Sequence, residues 1–365
     1  MLLCVAVVCA CAGGPRTPRP APPRPADVRA LIARLLPEKT PDRAGWAADV
    51  YAAFAALELE TSAANLCAAL AVTEQESGFQ ADPPVANLPK IARAEIDRRA
   101  AQLGVPKLAV DLALRLRSPD GRSYAERIAK VRTERELSEI FEAFTGSVPM
   151  GRRLFAGWNP VRTGGPMQVG IAFAEQHAAS RPYPYPVSEP ASGAIRREVF
   201  TRRGGLYFGI AHLLDYPAEY DAHLYRFADF NAGRWASRNA AFQHAISVAS
   251  GIPLALDGDL VRRGADAAPG ETELAARTLG ARIDASDAAI RRALEEGDGP
   301  ELQRTTVYRR VFALAEQLER RALPRARVPD IDLRGPKIQR KLTTKWFAER
   351  VDGRYRRCLA RASGA

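Results

Sequence analysis

A glutamate that ends an apolar helix is a candidate proton donor, and this chain carries one at Glu76, in the run Glu76-Ser77-Gly78-Phe79. Upstream, Leu66, Leu70 and Thr73 follow a three- and four-residue spacing, and Ala69, Val72 and Glu76 lie along the adjoining face. The carboxyl is therefore expected at the rim of an otherwise buried helix. Lost hydration there disfavours the ionised form, and a carboxyl pushed towards neutrality can act as a general acid. The plainer expectation for a lone glutamate is a solvated helix end. Glu74 lies about 200 degrees round the same helix, so the two cannot share one outlook. Asp82, in the loop beyond, is a second carboxylate that could instead activate water.

Three later segments offer groups that could hold a ligand beside that carboxyl. Gly164-Gly165-Pro166-Met167-Gln168 is a turn sequence that lets backbone come close to a ligand while the Gln168 amide supplies donors and acceptors. Its simpler readings are core filling for Met167 and a turn contact for Gln168. Gly204-Gly205-Leu206-Tyr207-Phe208 brings a phenol. Phe227-Ala228-Asp229-Phe230-Asn231-Ala232-Gly233 ends a helix, where Asn-Ala-Gly also reads as a plain cap with Gly233 left-handed. His177, His212, His223 and His244 lack metal-ligand spacing, so no metal or cofactor is expected. Cys67 is apolar-flanked in mid-helix, a poor setting for a reactive thiolate.

In this order the four segments resemble the E-S, G-x-M-Q, Y-L and A-Y-N-A-G signatures of the lysozyme-like lytic transglycosylases, bacterial enzymes that cut the glycan strand of peptidoglycan. The likeness covers roughly residues 60 to 250 and extends to a bacterial lipoprotein group of uncharacterised domains related to that fold. It implies a mainly α architecture: a lysozyme-like helical domain with a large helical insertion and a helical C-terminal extension. It also implies that Glu76 and Tyr207 are catalytic, with the Tyr207 hydroxyl bonded to the Glu76 carboxyl. Ser77, Met167, Gln168, Phe230 and Asn231 would then surround the sugar. Such enzymes need no second carboxylate. The substrate's N-acetyl group stabilises the anomeric carbon, and one glutamate protonates the leaving oxygen and then deprotonates the C6 hydroxyl, giving a 1,6-anhydromuramyl end. Pro166 and Phe208 stand where the family has Leu, and Phe230 stands where it has Tyr. A hydrolytic lysozyme using Asp82 and a non-catalytic peptidoglycan-binding lipoprotein are the alternatives.

The elements that must position these groups are helices. Apolar spacing near 3.6 predicts them over 27–36, 46–59, 63–75, 91–103, 107–116, 134–144, 207–214, 218–230, 235–249, 272–279, 285–296 and 302–323. Residues 27–255 are expected to form the catalytic domain, with an ordered insertion over about 83–160, and 256–365 a helical extension. At 365 residues and 47% apolar, the chain can bury a sizeable core. Its first residues form an apolar run too short to span a bilayer, ending at Val8-Cys9-Ala10-Cys11. That run resembles a lipoprotein signal over 1–11, with Cys11 acylated, a Pro-rich tether over 12–26, and placement on the periplasmic face of the outer membrane. Cys67 and Cys358 remain in the body, and either a disulfide or a buried free Cys67 fits. The net charge of +11 is spread through helices with no recognition module beside it. Nucleic acid is therefore not expected as a partner, and peptidoglycan carboxylates and anionic lipid heads are.

Overall fold

A computed structural model of the chain describes residues 23–147, 158–187, 193–264, 268–333 and 341–364, so the acylation expected at Cys11 lies outside the described residues. The fold is mainly helical, as the spacing predicts. Helix α1 (Pro25–Leu35) opens with proline at its first turn, where no intrahelical donor is lost. Helices α2 (Arg43–Ala56) and α3 (Ala63–Ser77) follow, the latter capped by Ser62, whose hydroxyl accepts from the Asn65 amide. The only strands among the described residues are two-residue pieces. Strands β1 (Thr163–Gly164) and β2 (Val169–Gly170) form an antiparallel hairpin in the register Thr163 opposite Gly170, and β3 (Asp332–Leu333) pairs with β4 (Leu342–Thr343).

Between α3 and the first hairpin stand α4 (Leu88–Gln102), α5 (Lys107–Leu114), α6 (Tyr124–Lys130) and α7 (Glu134–Ser147). They occupy the span 83–160 over which an insertion is expected. A capping box between Ser123 and Glu126 starts α6, which periodicity alone does not reveal because the helix is only 7 residues long. Both ends of this span are tied to the start of α7. Asp82 pairs with Arg135 at 3.0 Å, Pro84 bridges Thr133, and Asn159 Nδ2 donates to Ser138 Oγ at 2.9 Å.

After the hairpin come α8 (Ile171–Ser180), α9 (Ala194–Val199), α10 (Arg202–Leu214) and α11 (His223–Ala232). Helices α12 (Ala236–Ser250), α13 (Glu271–Arg277), α14 (Asp287–Glu295) and α15 (Thr306–Glu319) complete a second layer. The last helix is α16 (Thr344–Ala362).

Two hydrophobic cores organise these helices, and they divide the chain differently from the expected boundary at residue 256. The first gathers α1, α2, α3, α10, α11 and, from the far end of the sequence, Phe347, Ala348, Val351 and Cys358 of α16. The second joins α12 to α13, α14 and α15 around Phe242, Ile246, Val311 and Phe312. So α12 belongs with the later helices, and α16 returns to the first core, where α3 is its main packing partner. A disulfide between Cys67 and Cys358 fixes that return across 291 residues of sequence. Spacing does not predict α16, since its apolar stripe is thin among arginines and lysine.

Candidate active site

Helix α3 is buried all round from Leu66 to Thr73, as a helix in the middle of a domain must be. Glu76 occupies its last turn and is half-buried, matching the rim position that spacing predicts. The helix ends at Gly78 (φ 57, ψ 36), and Phe79 continues in the left-handed region at φ 63. A bulky residue is strained there. Phe79 is held because its ring is buried edge-on against Trp46, centroids 5.4 Å apart. Trp46 in turn lies under Arg202, the first residue of α10, whose guanidinium pairs with Asp42 and Asp49 of α2 and its cap.

Glu74 points to α16, at 3.5 Å from Arg354 and 3.8 Å from Arg357. It is committed to an ion pair across to α16. Arg354 nonetheless feels the charge of both Glu74 and Glu76, while burial lowers its own pKa. Ser77 is buried and donates its hydroxyl to the Thr73 carbonyl at 3.0 Å, so it closes the helix rather than facing a ligand.

The hairpin turn meets the start of α10 at backbone distance. A Cβ on Gly165 would sit 2.0 Å from the Val199 carbonyl oxygen, and one on Gly205 would sit 2.4 Å from Pro166 Cδ. Only glycine fits at either place, which is the physical content of these two glycines in the sequence. Met167 is fully buried, and its sulfur packs where a Cβ on Gly209 would be. The core-filling reading is therefore the correct one for Met167, and a sugar contact is not available to it. Gln168 is half-buried at φ 50, with its side-chain nitrogen 3.3 Å from the Gly165 carbonyl and its Oε1 accepting from Thr163 at 3.4 Å. Both ends of that amide are used within the turn.

Tyr207, buried on α10, has its hydroxyl 3.3 Å from His177 Nε2 of α8. The resemblance sends this hydroxyl to the Glu76 carboxyl; the partner it meets here is His177. Burial raises the pKa of Tyr207 and lowers that of His177, so both are held neutral. Tyr183 stacks on Phe208 at 5.0 Å and donates to Glu198 at 2.7 Å, which places a layer of aromatic rings over this part of α10.

At the end of α11, Phe230 is half-buried, with its ring 5.2 Å from His212. Asn231 is exposed and accepts a bond from the Thr344 hydroxyl at 3.1 Å, linking this helix end to α16. Gly233 takes φ 110 and ψ 145, outside the left-handed helical cap expected for it but still a conformation reserved for glycine.

The residue that sequence reasoning passes over is Asp229, beside Phe230. Its carboxylate is buried and accepts from Tyr216 at 3.0 Å, Tyr220 at 2.7 Å and the backbone amides of Trp235 and Ser237 at 3.0 and 2.6 Å. Burial raises its pKa and these donors oppose the rise. The knot fixes the turn that presents Asn231. An acid between two buried apolar residues, Phe227-Ala228 and the α12 start, was the available signal. Asp82, the alternative base, is engaged by Arg135, and burial raises its pKa. Among the described residues no cluster of His, Cys, Asp or Glu could hold a metal ion.

No solved structure matches the chain. It is 50% identical over 358 residues, 98% of its own length and 96% of the relative's, to the uncharacterised protein YaiW of Escherichia coli. Residues 39–361 match the family described as "Protein of unknown function (DUF1615)", a span that takes in the helix of Glu76, the hairpin, the first core from Trp46 onward, the second core and the returning α16, and the chain belongs to that family.

Proposed function

We propose that the chain is a peptidoglycan lytic transglycosylase in which Glu76 is both general acid and general base. The observation that carries the reading is the half-buried Glu76 carboxyl in the last turn of α3, a helix buried from Leu66 to Thr73 and cross-linked to α16 through Cys67. Phe79 and Gln168, within two of the motif segments, are held in left-handed backbone at φ 63 and 50, which costs about 1–3 kcal/mol apiece. In this reading Glu76 protonates the glycosidic oxygen as that bond breaks, the N-acetyl group carries the anomeric positive charge, and the resulting carboxylate takes the proton of the C6 hydroxyl as it closes the anhydro ring. Tyr207 lines the site with its hydroxyl held by His177, and Asn231, on the helix end fixed by the Asp229 knot, offers its amide to the sugar. The disulfide between α3 and α16 agrees with an oxidising compartment and so with export, lipid anchoring at Cys11 and the periplasmic face of the outer membrane.

One other reading is a peptidoglycan-binding lipoprotein without turnover, in which Glu76, whose charge reaches Arg354, serves only as a binding group. Hydrolysis through Asp82 would require that carboxylate to leave Arg135. Purified sacculi separate the three: anhydro-ended fragments, reducing ends, or retention of protein with no release.

A further inference from the structure

Most of the large apolar side chains left exposed among the described residues fall in one stretch, Leu103, Val105, Leu108, Leu112 and Leu116, while Ile252, Leu274 and Leu318 stand singly elsewhere. Scattered exposure of the second kind is ordinary, but a cluster marks a contact surface. The glycan chemistry above makes no use of it.

The centre of the cluster is α5. Val110 and Leu114 turn inward and are buried, as one stripe of a surface helix should be. Leu108 and Leu112, a turn apart on the other side, are 71% and 55% exposed, and Leu116, in the turn after the helix, is 52% exposed. A helix that is apolar on both sides is normally buried on both. Among the described residues, the outer side of α5 is left to solvent. The helix itself is firmly seated: Arg93 of α4 pairs with Asp111, and a bridge between Arg117 and Ser123 closes the turn beyond Leu116.

Charge indicates what this face suits. From Gln102 to Arg117 the sequence has three cations, Lys107, Arg115 and Arg117, and one acid, Asp111. The bond from Arg93 holds the Asp111 carboxyl below its ordinary range, and Lys107 and Arg115 are close enough to lower it further. The single negative charge is thus answered from α4, and three exposed cations frame the leucines. Leucines flanked by cations fit a surface that is anionic outside and hydrocarbon beneath. A second copy of the same face would set like charges against each other.

We propose that the outer face of α5 and the turn after it dock on an anionic lipid leaflet, with Leu108, Leu112 and Leu116 entering the acyl boundary and Lys107, Arg115 and Arg117 meeting lipid phosphates. Lys and Arg suit the rim because their long stems lie along apolar surface while the charged heads reach the phosphates. The contact needs no membrane-spanning helix, and it is separate from an acyl group at Cys11 and from what Glu76 does.

Vesicle co-sedimentation of the full chain carrying Cys11→Ser, so that no acyl group contributes, tests it. The vesicles are phosphatidylcholine alone and phosphatidylcholine mixed with phosphatidylglycerol. The expected result is saturable binding to the mixed vesicles that is weaker by about tenfold or more on the neutral ones and falls as salt is raised. Leu108→Ser with Leu112→Ser should weaken it about tenfold or more through lost apolar burial, and Lys107→Gln with Arg115→Gln about 30-fold through lost charge. Because these side chains are exposed, both variants should keep the wild-type unfolding midpoint; if the leucine pair does not, Leu108→Ser alone takes its place. Leu274→Ser with Leu318→Ser, on helices of the second core, should bind as the wild type does. No binding to mixed vesicles, equal binding to neutral ones, or binding lost equally with the Leu274 and Leu318 substitutions would each overturn the proposal. So would a lipid-free dimer, seen by sedimentation equilibrium, that Leu108→Ser with Leu112→Ser dissociates, since the face would then belong to a second copy.

Discussion

His212 shows how burial at a single residue becomes a property of the whole protein. Its ring packs edge-on to Phe173 at 4.7 Å and to Phe230 at 5.2 Å, with Arg234 over the Phe173 face. Burial, with Arg234 as a smaller cause, lowers its pKa from the ordinary 6.5 to about 4. The unfolded chain then takes up a proton that the folded chain refuses. Stability from this group is complete above pH 6.5 and is lost as the pH falls towards 4, a swing on the order of 2–3 kcal/mol. Denaturant midpoints measured from pH 7 to pH 5 should therefore fall, and His212→Gln should flatten the fall; an unchanged slope would show that the ring is hydrated. At this scale the sequence was legible where one rule decides. Apolar spacing placed Glu76 at a helix rim, and it is half-buried there. Met167 and Gln168 went to their plainer roles and Ser77 turned to the Thr73 carbonyl, because neither a motif nor a propensity reports which way a side chain turns. Asp229 stayed hidden because its donors come from Tyr216, Tyr220, Trp235 and Ser237, and only folding brings them together.

Helices α3 and α16 depend on each other more than on their own sequences. The disulfide between Cys67 and Cys358, the Glu74 pairs with Arg354 and Arg357, and the bond from Thr344 to Asn231 all cross between α16 and the helices of the first core. Cross-links of this kind typically contribute about 2–4 kcal/mol, largely by restricting the unfolded chain. The Cys67→Ser, Cys358→Ser double variant should unfold at lower denaturant by about that amount, and reductant should weaken the wild type to the same level. Equal stability with and without reductant would mean that the native packing alone holds α16. Long helices such as α2, α3, α4 and α7 were readable within a turn or so of their ends. The short helices α6 and α9 were not, since their ends are set by caps and tertiary contacts. The span 218–230 begins instead at His223, where the Tyr216 and Tyr220 bonds to Asp229 keep the preceding segment out of the helix. Helix α16 was missed because its burial depends on a partner some 290 residues away.

Across the described residues the helices gather on two hydrophobic cores, with α3 in the first, and no described helix is long and apolar enough to cross a membrane. The Val8-Cys9-Ala10-Cys11 box motivates the proposal of acylation at Cys11. Labelled palmitate should enter the wild-type protein and be absent from Cys11→Ser, with the folded body unchanged; equal labelling of the two would remove the anchor from the account. The charge of +11 suits an anionic surface in either case. The central claim is that Glu76 performs both proton transfers, each worth on the order of 100-fold to 10,000-fold. The most direct measurement is mass spectrometry of sacculi incubated with wild-type protein, Glu76→Gln and Glu74→Gln. The account predicts fragments with 1,6-anhydro ends, one water lighter than lysozyme products, from the wild type and Glu74→Gln and none from Glu76→Gln. Fragments released by Glu76→Gln, or none released by the wild type while the protein still sediments with sacculi, would contradict it.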